Sequence, residues 1–278
     1  MEGVLLMQHF SVSPREMVAS LWRHRELVYA SAKREVLGRY RGSALGLLWS
    51  FFNPIFMLAV YTFVFSEVFK ARWNPGSESK TEFALALFAG LIIFNLFSEC
   101  VNRAPNLVLY NPNYVKKVLY PLEILPFVAF LSGLYHALVS LAVWMVAYLI
   151  FFGIPHPTVL LLPLIIVPFG LFIMGVSWGL ASLGVFLRDV SQFIGVLTMV
   201  LMFLSPVFYP VSSLPENYRH ILYINPLTIV IEQTRDILFW GKLPSVTSML
   251  IYWVGAIAIA WLGFAWFQKT RRGFADVL

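Results

Sequence analysis

Cysteine is almost absent: Cys100 stands alone among 278 residues, which excludes an internal disulfide and a thiolate metal cage. Charge is scarce as well. Asp, Glu, Lys and Arg make up 12% of the chain, where a soluble domain carries about 25%. No Gly-x-x-x-x-Gly-Lys-Ser/Thr phosphate loop, paired-histidine metal motif or nucleophile elbow occurs in the chain. The apolar runs also lack the mid-membrane acids and bases on which ion-coupled carriers depend. Glu67 and Glu99 lie near the ends of their runs, and His136 is the one lone candidate, for a helix-to-helix hydrogen bond or a proton relay. An energy source outside this chain is expected. No signal-peptide pattern precedes the first long apolar run at Ala44, so that run itself is expected to direct targeting.

What remains is apolar. Hydrophobic residues make up 59% of the chain, and mean hydropathy is +0.77. A soluble core of this size could not hide so much apolar surface, so the chain reads as an all-α polytopic membrane protein. Crossing a bilayer core takes roughly 20 apolar helical residues. Ala44–Phe65 supplies 22 without a formal charge, and Phe83–Asn102 carries only Glu99. Ile124–Leu187 holds no Asp, Glu, Lys or Arg and is cut in two by "GIPHPT". Val190–Pro215 and Leu243–Gln268 complete six predicted spans.

Flanking Lys and Arg set the orientation. Fourteen fall on one side and six on the other, with seven in residues 1–43 alone. With six spans, both termini face the cytoplasm. The organisation expected is a cytoplasmic segment 1–43, a transmembrane domain 44–268 and a cytoplasmic tail 269–278. Within the domain, 103–123 forms a cytoplasmic segment and 207–242 an outer one.

Three connecting segments carry more pattern than a tether needs. "SPREMVASLWRHRELVYASAKREVL" opens with Ser13 as N-cap, Pro14 at the first helical position and Glu16 completing a capping box. Val18, Leu21 or Trp22, Val28 or Tyr29, Ala32 and Val36 recur at near-helical spacing, which predicts one amphipathic helix on the membrane surface. It serves either as an anchor or as a docking element for a cytoplasmic partner. "RAPNLVLYNPNYVKKVLYPLEILP" reads either as a tether or as a short surface helix that receives force from such a partner. In the outer segment, Ile221–Ile231 is an apolar stretch of 11 residues between charged flanks. It suits a re-entrant hairpin, or else an amphipathic outer loop. Glu232, Arg235 and Asp236 lie three and four apart, so Glu232 is expected to pair on one helical face with Arg235 or Asp236.

Around the first span, Gly38, Gly42 and Gly46 repeat every four residues, a spacing that allows close helix approach. "LSGLY" at Leu131 reads as small residues at another helix interface. Pro54 predicts a kink, and Asn53 either satisfies a freed carbonyl or faces a wet lumen. Trp49, Phe52, Phe56 and Phe63 share one face. Such rings either meet lipid and core or line a path for a sugar chain, whose C–H faces lie flat on aromatic rings.

"REVLGRYRGSALGLLWSFFNPIFMLAVYTFVFSEVF" and "SPVFYPVSSLPENYRHILYINPLTIVIEQTRDILFWGKLP" resemble the membrane subunits of ABC-type polysaccharide exporters. That family carries O-antigens, capsules and teichoic acids across the bacterial inner membrane, and "LGLLW…NP" with "SPVFYP" is most similar to its O-antigen and teichoic-acid branch. The resemblance runs from about Arg34 to the C-terminus. It implies a homodimer working with two copies of a separate ATPase that holds ATP and Mg, and a lipid-linked polysaccharide as cargo. It also implies an inner-membrane location, short outer helices between spans five and six, no cofactor on this chain, and no nucleic-acid partner. Spans one and five would border the pathway, with Trp49, Phe52, Phe56, Phe203, Phe208 and Tyr209 as lining candidates. Arg23, Arg25, Asn113, Tyr114, Lys116 and Lys117 would meet the ATPase, and Glu232, Arg235 and Asp236 form the outer polar cluster. Two other readings stay open: an ABC permease for a small hydrophobic drug or lipid, and a polytopic membrane transferase. A passive channel fits least, because it needs no structured docking elements.

Overall fold

The computed structural model describes residues 11–69, 73, 80–116 and 120–278, apart from the side chains of 66, 67, 80 and 116. The expected helical character holds: helices carry the described chain, and five stretches are long and apolar enough to cross a membrane. They are Gly46–Phe63, Thr81–Asn106, Leu122–Phe152, Pro157–Phe186 and Val246–Val277. The fifth predicted run, Val190–Pro215, is shorter than expected. Its helix, Val190–Leu204, has 15 residues, about 22 Å at 1.5 Å per residue. Ser205 is extended, and prolines 206 and 210 follow where helical N–H groups would be needed.

The predicted amphipathic helix is divided into α1 (Pro14–Arg23) and α2 (Arg25–Arg39) at His24. Backbone bonds from His24 to Ser20 and from Val28 to His24 carry the ladder through, so the break is slight. Ser13 caps α1 by accepting from the Glu16 amide at 3.1 Å. The reciprocal half of the capping box is not made. Glu16 instead pairs with Arg23 at 3.2 Å, two turns further along the helix. Met17, Ser20, Val28, Ser31 and Ala32 point into the protein, while Val18, Trp22 and Tyr29 stay exposed.

The glycine repeat lies between α2 and the first span. Gly42 and Gly46 have φ of 86° and 51°, and no atom lies within 4 Å of where a Cβ would stand on Gly38, Gly42 or Gly46. Gly42 and Gly46 serve a turn, and within this subunit no neighbour packs on any of the three. Left-handed backbone is open to glycine without the Cβ clash. The close helix approach within the subunit lies elsewhere, between α7 (Leu162–Phe186) and α11 (Val246–Thr270). There the backbones at Gly175 and Gly263 leave no room for a side chain.

The first span is α3 (Trp49–Phe63), which runs through Pro54 and ends in a wider turn over Val64–Val68. Helix α4 (Lys80–Arg103) is central, packed by α3, by α6 (Leu125–Phe152) and by α8 (Val190–Leu204). The short helix α5 (Pro112–Lys116) lies on the same end as α2.

That end is knotted by one carboxylate. Glu123 is buried and accepts from Ser20 of α1 at 2.8 Å and from the Arg271 guanidinium beyond α11. Its backbone carbonyl accepts from the Trp178 indole of α7 at 2.8 Å.

At the other end, the 11-residue apolar stretch is split by Asn225-Pro226 into α9 (Glu216–Ile224) and α10 (Pro226–Leu238). Asn225 Oδ1 caps α10 by accepting from the Leu227 amide at 3.0 Å. Tyr223 and Ile224 are exposed, whereas Leu227, Val230 and Ile231 are fully buried against α4 and α7.

Candidate functional site

A helix brings residues i, i+3, i+4 and i+7 onto one face. On α4 those positions are Asn95, Ser98, Glu99 and Asn102. The rest of α4 is buried among neighbours, yet Asn95 and Asn102 are exposed. This polar stripe lines a cavity of about 470 Å³, closed by Ser50, Asn53 and Pro54 of α3 and by Gly133, His136 and Ser140 of α6. Six neutral hydrogen-bonding side chains therefore converge within apolar, membrane-length helices. Asn53 is exposed and lines this cavity.

A charged network closes the end of the cavity nearest α2. Arg39 pairs with Glu99 at 2.8 Å and donates to His136 Nδ1 at 2.9 Å, which makes that ring nitrogen the acceptor. His136 thus ties α6 to α2 and α4, the helix-to-helix role. Arg103 reaches Glu35 of α2 at 2.7 Å and Glu99 at 3.8 Å. Thr198 of α8 donates to Asn102 Oδ1 at 3.0 Å, joining α8 to the stripe. Ionisable groups inside membrane-length helices are rare and mark pathways. The sequence held this signal as a polar stripe at helical spacing, which a search by formal charge passes over.

The expected ring face of α3 is open. Trp49 and Phe52 sit edge to face at 6.3 Å, and Phe56 and Phe63 are more than 60% exposed. Helices α3 and α8 flank α4 from two sides. Their rings meet near the far end, where Phe208 stacks on Phe203 at 5.8 Å and on Phe65 at 6.1 Å. Phe65 was not foreseen in that role. Tyr209 stands apart. Its hydroxyl donates to the Phe203 carbonyl at 3.1 Å, and its ring lines an apolar groove with Leu201, Tyr218 and Ile221.

Of the coupling candidates, Tyr114 of α5 accepts from Arg34 of α2 at 3.3 Å and stacks on Tyr120 at 4.1 Å. Asn113 is exposed beside it. Arg25 lies over the Trp22 ring at 5.3 Å, while Arg23 is held by Glu16. The Lys116 side chain and Lys117 lie outside the described residues.

The outer cluster comes together around one cavity, but not as the expected pair. Arg235 is fully buried and donates to three backbone carbonyls: Ala86 at 2.7 Å, Val207 at 2.6 Å and Pro206. Its guanidinium also lies 4.4 Å over the Trp73 ring. Glu232 instead accepts from the Tyr223 hydroxyl at 3.2 Å and the Val211 amide at 3.4 Å, and Asp236 faces Lys242 at 3.8 Å. A guanidinium presents five donors in a fixed fork. Two carbonyls from the break after α8 and one from α4 satisfy more of that fork than one carboxylate can.

Membrane-length helices around a polar cavity describe a helical multi-pass membrane protein. The model of the ABC-2 type transporter family matches residues 26–239. The chain belongs to that family. It is similar to the O-antigen export system permease protein RfbA of Myxococcus xanthus, 25% identical over 262 residues that cover 94% of this chain and 98% of the relative. It is also similar to the protein of the same name from Klebsiella pneumoniae, 26% identical over 254 residues, 91% of this chain and 95% of the relative.

Proposed function

We propose that this chain is the membrane-spanning subunit of an ATP-driven exporter that carries a lipid-linked polysaccharide of O-antigen type out of the cytoplasm across the bacterial inner membrane. It works as a homodimer with two separate ATPase subunits, which hold ATP and Mg. Helix α8, extended by the residues after it, serves as the fifth of six spans. The surplus of Lys and Arg on the α2 and α5 side puts that end and both termini in the cytoplasm. The joined α1, α2 and α5 surface then faces the ATPase, through Arg23, Arg25, Asn113, Tyr114, Lys116 and Lys117.

One observation carries this reading: the Asn95, Ser98 and Asn102 stripe meets Asn53 in a cavity between α3, α4 and α6, while α3 also carries the exposed rings Trp49, Phe52 and Phe56 on another part of its surface. Amides and hydroxyls exchange hydrogen bonds with a polyol, and rings carry its C–H faces. Trp49, Phe52, Phe56, Phe203, Phe208 and Tyr209 are assigned to that pathway. A pocket for a small hydrophobic drug would not gain from so many amides and hydroxyls, since each buried polar group needs a partner.

The test is ATPase activity of this subunit purified with its nucleotide-binding partner, with and without lipid-linked glycan. Stimulation by glycan is the expected result. Stimulation by drugs or lipids alone would favour the small-molecule permease, and failure to form a complex would return the transferase reading.

A further inference from the structure

We propose that the outer end of the subunit holds a sugar-binding pocket, walled by Trp240, Glu232 and Asp236 of α10, that grips the polysaccharide as it emerges. The proposal rests on the export function above and names what that polar cluster binds.

Helix α10 is buried on nearly every side. Beyond its first residue, Pro226, only Ile229, Glu232, Asp236 and, just past its end, Trp240 keep part of their surface open. The last three follow one another at intervals of four, so they form a single ridge. That ridge opens on a cavity of about 430 Å³, whose opposite walls are Tyr223, Ser212 and Trp73. The volume falls within the ~300–1,000 Å³ of small-ligand sites.

The lining matches a polyol better than an apolar chain. Two carboxylates supply acceptor lone pairs for ring hydroxyls, beside an indole whose face suits sugar C–H groups. The cations nearby are already engaged. Arg219 donates to the Leu214 and Ser212 carbonyls at 2.8 Å each, and Arg235 is spent on its three carbonyls. Lys242 sits between Asp236 and the Trp240 ring, 5.9 Å from the ring centroid. Three cationic side chains and two carboxylates line the cavity, and both guanidiniums are held by backbone carbonyls.

The walls are also fixed in place. Gly241 has φ of 64° and abuts His156, which turns Lys242 back so that its amide bonds the Asp236 carbonyl at 3.0 Å. Trp240 is braced by Trp73 at 6.1 Å and by Phe239 at 5.4 Å. Glu232 is held by Tyr223 and the Val211 amide. A ridge held from several sides loses little freedom on binding, which favours affinity.

The experiment uses the complete permease–ATPase complex in lipid nanodiscs. The probe is the oligosaccharide released by mild acid from the glycan that the complex exports. Binding is followed by saturation-transfer NMR, and export is followed in vesicles. The wild type is expected to bind the probe. Asp236→Asn, which keeps size and shape, and Trp240→Ala should each weaken binding at least tenfold and slow export, and Trp240→Phe should restore part of both. A wild-type complex that exports glycan but does not bind the probe, or binds it equally well in both weakened variants, overturns the pocket and leaves export standing. A wild-type complex that exports no glycan overturns the export reading and the pocket together.

Discussion

In the α3 span 6% of the most apolar stretch is buried, and in the α4 span 83%, although both are apolar enough to cross a bilayer. Water would punish such a difference. Lipid does not, because acyl tails are as apolar as leucine and helices gain little by hiding greasy side chains from them. What separates the two helices is polar anchoring. Along α4, the Leu85 carbonyl accepts from Trp144, the Ala86 carbonyl accepts from Arg235, and Glu99 faces Arg39 and His136. Helix α3 has few such ties: its Ser50 and Thr62 hydroxyls bond back to carbonyls of its own turns. One helix is bolted into the subunit, and the other offers its rings outward.

The comparison breaks first at Gly90. A Cβ there would strike the Arg235 guanidinium, and displacing a buried charge from its partners costs about 3–5 kcal/mol. Gly90→Val should leave no monodisperse subunit in size-exclusion chromatography. A normally folded variant would mean that α4 is not held by this bolt. Next comes the polar stripe: Asn95→Leu with Asn102→Leu should lower vesicle export at least tenfold while the subunit still folds, because both side chains are exposed. Export at the wild-type rate would sever the stripe from transport.

The double change Phe52→Ala and Phe56→Ala should reduce export several-fold and leave the melting temperature of the complex nearly unmoved. Undiminished export would assign those rings to lipid. The smallest effects test the turn that frees α3. Gly38→Ala, inside α2, should stabilise by up to ~1 kcal/mol, whereas Gly42→Ala, at positive φ, should destabilise by about 1–2 kcal/mol. Thermal melts of the two variants separate a turn from a packing seam, in which both would destabilise.

Much of the fold was legible because hydropathy runs and helix breakers are local signals. "GIPHPT" and the prolines after Leu204 mark real breaks. Other features escaped for physical reasons. The break at His24 carries no breaker residue, and the hydrogen-bond ladder passes through it. The turn at Gly42 and Gly46 was hidden because spacing does not reveal φ. Arg235 stood out as a charge beside an apolar stretch, yet its acceptors at Ala86, Pro206 and Val207 are backbone atoms far away in sequence. Asn95 and Asn102 were readable as a stripe, but the cavity they face is built with Asn53 and His136 from two other helices. The ring face of α3 was visible from spacing alone, while the stack of Phe65 on Phe208 joins two segments that only the fold brings together.

Glu123 has a consequence for how the subunit is made. Its carboxylate is shared by Ser20, which leaves the ribosome early, and by Arg271, which leaves some 148 residues after Glu123 itself. Until then, this buried acid waits with half its side-chain partners unmade. Assembly around it is therefore timed by synthesis. A chain shortened before that arginine leaves the carboxylate without its guanidinium, so the docking face proposed for α1, α2 and α5 is expected to be complete only once Arg271 has been made.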